Sequence, residues 1–305
     1  MKVGIAGTGA VGGYIGGTLA LAGHEVVFLS RGTNLRTMQE KGLTISNSEN
    51  EFVVHKEFTN SLDRFRNVEL VIISVKSNDT SHMAEKLSYT ISTGTPILLL
   101  QNGVDNEEKV MKYFGINRIF SAAVYLTSRI TAPGRIEVFG NPRLTIGSID
   151  PAKMNEAKEL TNLFREASIQ SHTSSNIMRA KWKKLLWNVT FNPLSAYAGV
   201  TVGQILDQID LRHLAEVALR EGMNISDLKG YFFQEELIDQ IFKSAQIAET
   251  HYTSMLQDRL SGKNLEIESI CGYFVKEADK KSISIPVIQS LYTSLSSLEK
   301  TNRRS

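Results

Sequence analysis

Lys184, Asn188 and Asn192 follow one another at four-residue intervals in the run Lys184-Leu185-Leu186-Trp187-Asn188-Val189-Thr190-Phe191-Asn192, with Pro193 behind it. On a helix this spacing lays one cation and two amides along a single drifting stripe. Most residues between them are apolar, as in a helix that is buried. A buried ammonium and buried amides bear their desolvation only with partners or a ligand. The stripe therefore reads as one wall of a site for a small polar molecule. A plainer reading competes with it, in which the lysines are solvated and the asparagines bond neighbouring backbone. Lys181 and Lys183 are read as standing off the stripe, which leaves Lys184 as its cation. Pro193 lacks an N–H and is expected to bend the helix.

Such a wall needs something to face. The chain opens with an apolar strand, Lys2 to Ala6, followed by Gly7-Thr8-Gly9-Ala10-Val11-Gly12 and a helical run to Ala22. A G-x-G-x-x-G between a strand and a helix makes a tight turn whose N–H groups approach a pyrophosphate at the helix N-terminus. Glu25 to Leu29 is a second strand, ending at Ser30-Arg31. The acid that would bond the ribose hydroxyls of NAD is missing there. Arg31 offers a planar fork suited to a 2′-phosphate, so the expected cofactor is NADP(H), with Arg36 as a further cation nearby. Leu70 to Val75 and Pro96 to Leu100 are near-continuous apolar strands of the kind found in parallel sheets covered on both faces. They run into Lys76-Ser77 and Gln101-Asn102-Gly103, at the strand ends where open α/β sheets bind ligands. Lys76 and Asn102 are thus site candidates, although Asn-Gly is also a turn signal in its own right.

The remaining first half reads as additions to that sheet. Gly42 to Asn47 and Glu51 to His55 suggest a hairpin pendant to it. After a strand over Ile119 to Val124 and a turn at Thr131-Ala132-Pro133-Gly134, Arg135 to Phe139 and Arg143 to Gly147 read as a second hairpin around Gly140-Asn141-Pro142. A helix over Pro151 to Glu166 and a short strand over Ile169 to Thr173 follow. From Ser175 onward helical period dominates, with helices expected over 175–198, 211–224, 234–250, 266–281 and 286–300, and a frayed end from Thr301. The expected fold is α/β, an N-terminal Rossmann-type doubly wound, mostly parallel sheet over residues 1–168. A second, all-helical domain over 169–305 would serve substrate binding and dimerisation.

Composition narrows the class. The chain has 305 residues and a formal net charge of +2, with no basic block for nucleic acid and no apolar run long enough for a bilayer. The first strand begins at Lys2, which leaves no expected signal peptide, and the reading is cytoplasmic. The single cysteine, Cys271, allows no internal disulfide and reads as a core residue. The six histidines show no metal-ligand spacing, so no metal is expected.

Taken together, the glycine motif with Arg31, Lys76, Asn102-Gly103, and Trp182-Lys183-Lys184-Leu185 with Asn188 and Asn192-Pro193-Leu194 resemble the ketopantoate reductase (2-dehydropantoate 2-reductase) family over almost the whole length. The resemblance implies NADPH-dependent reduction of ketopantoate in pantothenate and coenzyme A biosynthesis, with Lys184 as the catalytic lysine and Asn188 and Asn192 as substrate ligands. It places Asn102 and Lys76 near the nicotinamide and substrate. Tyr252 to Asp258 resembles the segment that supplies a substrate-binding serine, here Ser254. Leu265-Glu266-Ile267-Glu268 resembles the segment that supplies an active-site acid, here Glu266, although the family commonly has Thr and Asp where this chain has Leu265 and Glu268. Two alternatives stay open: a D-2-hydroxy acid dehydrogenase acting on other branched or aromatic 2-oxo acids, and a non-catalytic NADP(H)-binding sensor. The helical domain is the expected place for a homodimer contact, with no patch singled out.

Overall fold

The computed structural model describes residues 1–302. Arg303 to Ser305, part of the end expected to fray, lie outside the described residues; Thr301 and Asn302 belong to the last helix. The chain forms two compact units, Met1–Lys181 and Trp182–Ser305.

The first unit alternates strands and helices. Strand β1 (Lys2–Ala6) leads to helix α1 (Ala10–Leu21), strand β2 (Glu25–Leu29), helix α2 (Gly32–Lys41), and the short strands β3 (Leu43–Ser46), β4 (Glu51–Val54) and β5 (Glu57–Thr59). Strand β6 (Leu70–Ile73), helix α3 (Thr80–Ser88), strand β7 (Ile97–Leu99) and helix α4 (Asn106–Met111) follow. Two long strands, β8 (Ile119–Ala132) and β9 (Arg135–Ser148), then helix α5 (Met154–Glu166) and strand β10 (Gln170–Thr173) complete it. All ten strands join one sheet, in the order β4-β3-β9-β8-β7-β6-β1-β2-β5 with β10 also on β9. The central pairs β8-β7-β6-β1-β2 are parallel.

Strand alternation explains why both faces are covered. Val3, Ile5, Ile72 and Leu98 point into one core with Ile15 and Leu19 of α1 and Phe164 of α5. Ala6, Val71, Ile73 and Leu99 point into the other with Ala84 and Leu87 of α3 and Val110 of α4. The glycine-rich face of α1 lets it lie close on the sheet: a Cβ at Gly16 would stand 2.7 Å from Ile5 Cγ1.

Three sequence expectations change here. The hairpin β3–β4 is not pendant, because β3 pairs with β9 and extends the sheet. The second hairpin is not centred on residues 140–142. Its turn is Pro133-Gly134, with Gly134 at φ 70°, and β8 pairs with β9 along its length. Gly140-Asn141-Pro142 instead fills a bulge, since Tyr125 pairs with Arg143 while Thr127 pairs with Phe139. A bulge tolerates a proline that ladder bonding would not. The unit boundary also falls later than residue 168. β10 pairs in parallel with β9 and so belongs to the first unit.

The second unit is helical. Helix α6 (Ile177–Ala198) enters it, followed by α7 (Val202–Asp207), α8 (Ile209–Leu228), α9 (Glu236–Ile247) and α10 (Ser254–Leu260). A π-helical turn, Glu268–Gly272, precedes α11 (Tyr273–Lys281), and α12 (Pro286–Asn302) ends the chain. Trp182 of α6 lies against Tyr273 and Phe274 of α11, with ring centroids 5.8 and 5.9 Å away. Cys271 is fully buried, as expected, and burial beside Glu268 pushes its thiol up to about 12. Among the described residues no helix is long and apolar enough to cross a membrane.

Candidate active site

The glycine turn divides its labour. Gly7 has φ 110°, and a Cβ there would stand 2.7 Å from the Val75 amide nitrogen, so backbone geometry and the neighbouring strand require glycine. Gly12 packs against the Gly7 carbonyl. Gly9 differs, because a Cβ on it would meet nothing within 4 Å. Protein packing therefore does not account for Gly9, and the lack of a Cβ there leaves the backbone open to close approach by a ligand. Gly9 is the N-cap of α1, which starts at Ala10 and Val11 with no side-chain cap and no acid in its first turn. That end of α1 presents amides and partial positive charge to an anion. Thr8 is buried and anchors the turn, donating from its amide and its hydroxyl to the Leu29 carbonyl at 3.1 and 2.9 Å.

Arg31 caps the start of α2, with its side chain 91% exposed and an Asp79 carboxylate oxygen 3.7 Å away. A pair so exposed and so long is weak, and a phosphate would readily compete for the guanidinium. Asn34, which sequence reading passed over, ties this region together. Its amide donates to the Thr8 carbonyl and the Ser30 hydroxyl, both at 3.3 Å, and accepts from the Gly134 amide at 2.7 Å. Its position four residues after Ser30 on a helix start was the available signal. Arg36 is exposed on α2.

Lys76 and Asn102 follow β6 and β7 as expected. Lys76 is exposed and Asn102 half-buried. The two turns touch, because the Ser77 hydroxyl donates to the Asn102 carbonyl at 3.2 Å. Gly103, at φ 88°, makes the turn that the Asn-Gly pair signals.

In the second unit the stripe forms on α6. Lys184 is half-buried, and Asn188 and Asn192 are 7% and 3% exposed. Neither amide makes a protein hydrogen bond among the described residues, yet neither is among the sealed unsatisfied groups, which are Gln101 Oε1, Asp105 Oδ1 and Glu107 Oε2. Their polar tips thus reach accessible space from otherwise buried side chains, which disfavours the reading of amides bonded to backbone. The expectation that Lys181 stands off the stripe is corrected. Three residues ahead of Lys184, it shares that face of the helix. What removes it from the candidates is burial: Lys181 pairs with Glu107 and lies 3.1 Å from the Ser121 hydroxyl, which itself donates to Glu107 at 2.5 Å. Lys183 is exposed and donates to Gln240 at 2.8 Å.

Ser254 is exposed at the first turn of α10. Buried Thr253 caps that helix and donates to Ser195 of α6 at 3.2 Å, while Arg259 donates to the Ala196 and Tyr197 carbonyls at the end of α6. Ser254 is thereby fixed to the helix that carries the stripe. Glu266 is half-buried and set by α12 instead. The Leu265 amide donates to Glu299 at 2.7 Å, and the Glu266 carbonyl accepts from the Ser269 hydroxyl at 3.1 Å. Glu268 is engaged by the Tyr292 hydroxyl at 2.7 Å and Lys276 at 2.8 Å. That hydrogen bond to Glu268 holds the Tyr292 phenol above its ordinary value.

A doubly wound sheet with a glycine turn at the N-terminus of its first helix, joined in sequence to a helical unit with a cation–amide stripe, has the parts of a dinucleotide-dependent oxidoreductase. Comparison with known proteins agrees. Residues 3–151 match the family model "Ketopantoate reductase PanE/ApbA" and residues 176–299 match "Ketopantoate reductase PanE/ApbA C terminal". The chain is 29% identical over 287 residues to a 2-dehydropantoate 2-reductase of Pyrococcus horikoshii, covering 94% of each chain. It superposes on a PanE/ApbA family ketopantoate reductase from Ralstonia eutropha with TM-score 0.92 and 26% identity, over 99% of this chain and 100% of that one. A D-mandelate dehydrogenase solved with NADH and anilino(oxo)acetate shares the fold, with TM-score 0.93 at 22% identity, over 99% of this chain and 100% of that one. The chain belongs to the ketopantoate reductase family and is an NADP-dependent oxidoreductase.

Proposed function

We propose that this enzyme reduces 2-dehydropantoate (ketopantoate) to (R)-pantoate with NADPH. The observation that carries the reading is the α6 stripe, in which a half-buried Lys184 is followed by two buried asparagines whose amides find no protein partner among the described residues. The 2-dehydropantoate 2-reductase names of the relatives support the choice of substrate. NADPH supplies the hydride when bound. Gly7, Gly9 and the first amides of α1 take the pyrophosphate, Arg31 takes the 2′-phosphate, and Lys76 and Asn102 serve the nicotinamide end. As negative charge grows on the former carbonyl oxygen, the Lys184 ammonium stabilises the transition state more than the ground state and delivers a proton from Nζ. Asn188 and Asn192 orient substrate oxygens. The Ser254 hydroxyl donates to the substrate carboxylate, and the Glu266 carboxylate accepts from the substrate hydroxymethyl group. An analogue lacking that hydroxyl leaves Glu266 unpaired and loses binding and rate.

The test is loss of reduced-nicotinamide absorbance with ketopantoate, 2-oxoisovalerate or phenylglyoxylate, each with NADPH and with NADH. Fast turnover of ketopantoate with NADPH is expected. A second reading, a D-2-hydroxy acid dehydrogenase acting on plain branched or aromatic 2-oxo acids, draws on buried Leu265 and on Glu268 beside the proposed hydroxyl contact. Faster turnover of 2-oxoisovalerate or phenylglyoxylate than of ketopantoate would replace the first reading with it.

A further inference from the structure

Within the first unit, the ends of β6 and β7 are joined by a buried chain of hydrogen bonds that the reaction itself does not use. Gln101 donates from Nε2 to the Val75 carbonyl at 3.0 Å and to the Thr80 hydroxyl at 2.6 Å. Thr80 donates to Asn106 Oδ1 at 2.8 Å, and Asn106 Nδ2 donates to the Asn102 carbonyl at 2.7 Å. Gln101 is 6% exposed, and Thr80 and Asn106 are fully buried.

The direction of every bond follows from its two ends. The Val75 and Asn102 carbonyls can only accept, so Gln101 and Asn106 must each turn an NH2 group toward them. The second Gln101 hydrogen then falls on Thr80, whose own hydrogen is left for Asn106. This orientation strands Gln101 Oε1, which is buried with no partner. A buried acceptor left unpaired costs roughly 1–3 kcal/mol, so the arrangement is held despite a local penalty. Its two ends are the carbonyl just before Lys76 and the carbonyl of Asn102. Thr80 and Asn106 are also the first residues of α3 and α4. The Ser77 bond to Asn102 runs alongside.

We propose that Gln101, Thr80 and Asn106 are positioning residues that lock the Lys76 and Asn102 turns into one rigid edge and so set the geometry of keto-acid reduction. The proposal rests on the reading of Lys76 and Asn102 as site residues. Thr80 is the centre of the relay because its one hydroxyl links the Gln101 side chain to the Asn106 side chain.

The experiment compares wild type with Thr80→Val, which keeps the branched shape and removes the hydroxyl, and with Thr80→Ser, which restores it. For Thr80→Val kcat on ketopantoate with NADPH is expected to fall about 10- to 100-fold, since a misplacement of about 1 Å can cost about a hundredfold. Thr80→Ser is expected within about threefold of wild type. Turnover of Thr80→Val at the wild-type rate, or a serine variant as impaired as the valine one, overturns the proposal. If Thr80→Val does not fold, Gln101→Met cuts the relay at its first link and carries the same expectation. If wild type reduces no 2-oxo acid, the functional reading fails by itself. Amide hydrogen exchange then decides the relay: residues 76–79 and 102–106 should exchange at least about tenfold faster together in Thr80→Val, whereas unchanged exchange, or a change in one turn alone, overturns it.

Discussion

Lys184 is one of three lysines within four residues, and the structure separates them by environment rather than by spacing. Lys181 is sealed against Glu107, Lys183 reaches solvent and Gln240, and Lys184 sits half-buried in line with two asparagines. Lys184→Ala is expected to lower kcat by at least two to three orders of magnitude, the usual worth of a positioned acid, while the NADPH dissociation constant, read by fluorescence, stays near wild type. Arg31→Ala belongs to the same scale. Its exposed guanidinium has only a weak partner in Asp79, so its loss should fall on a 2′-phosphate. Removing a hydrogen bond to a charged group costs roughly 1.5–3 kcal/mol, or about a 10- to 100-fold rise in KM for NADPH. KM for NADH should barely move, and an equal rise for both cofactors would detach Arg31 from the 2′-phosphate.

Helices α6 and α12 show how elements carry these residues. The start of α6 is pinned by the buried Lys181–Glu107–Ser121 cluster. Lys181→Met leaves Glu107 buried and uncompensated, at a cost of about 3–5 kcal/mol. Lys181→Met with Glu107→Leu should recover most of that in urea denaturation, because an apolar pair of similar volume replaces the ion pair. Helix α12, which holds the Glu266 segment through Tyr292 and Glu299, is itself held at its start by Glu221, which accepts from the Val287 and Ile288 amides at 3.0 and 2.9 Å. Burial keeps the Glu221 carboxyl above its ordinary 4.5, against the pull of those amides. A raised carboxyl adds stability that is fully present below the ordinary value and is lost as pH rises through the raised one. Wild type should therefore lose stability relative to Glu221→Gln between pH 4.5 and neutrality, and parallel melting curves across that range would remove Glu221 as the cause.

At the scale of the whole molecule, the elements proposed to hold the cofactor belong to the first unit and the stripe, Ser254 and Glu266 to the second. A ligand that binds only the folded state stabilises it by about 2.7 kcal/mol at a hundred times its dissociation constant. NADPH should therefore raise the melting temperature of wild type measurably, and Arg31→Ala should need a higher NADPH concentration for the same rise. Lys184→Ala should shift with NADPH as wild type does. A Lys184→Ala protein that no longer responds to NADPH would place that lysine in cofactor binding rather than in proton delivery.

The glycine turn, the parallel strands and the long helices of the second half were legible from residue types and spacing, because each is a local pattern with a short-range physical cause, whereas the short helices α7 and α10 carry too few turns to show a period. Cys271 as core was legible for the same reason. Non-local pairing was not. The place of β3 in the sheet, the bulge at Gly140-Asn141-Pro142 and the assignment of β10 to the first unit depend on a partner strand that no local period names. The roles of Lys181 and Thr80 were hidden likewise. A lysine one turn from another looks the same in sequence whether it faces solvent or a buried glutamate 74 positions away. A threonine at a helix start gives no hint that it bridges a glutamine beyond another strand and an asparagine at the start of another helix. Spacing along the chain determined which residues could act together, and tertiary burial decided which of them are already committed to one another.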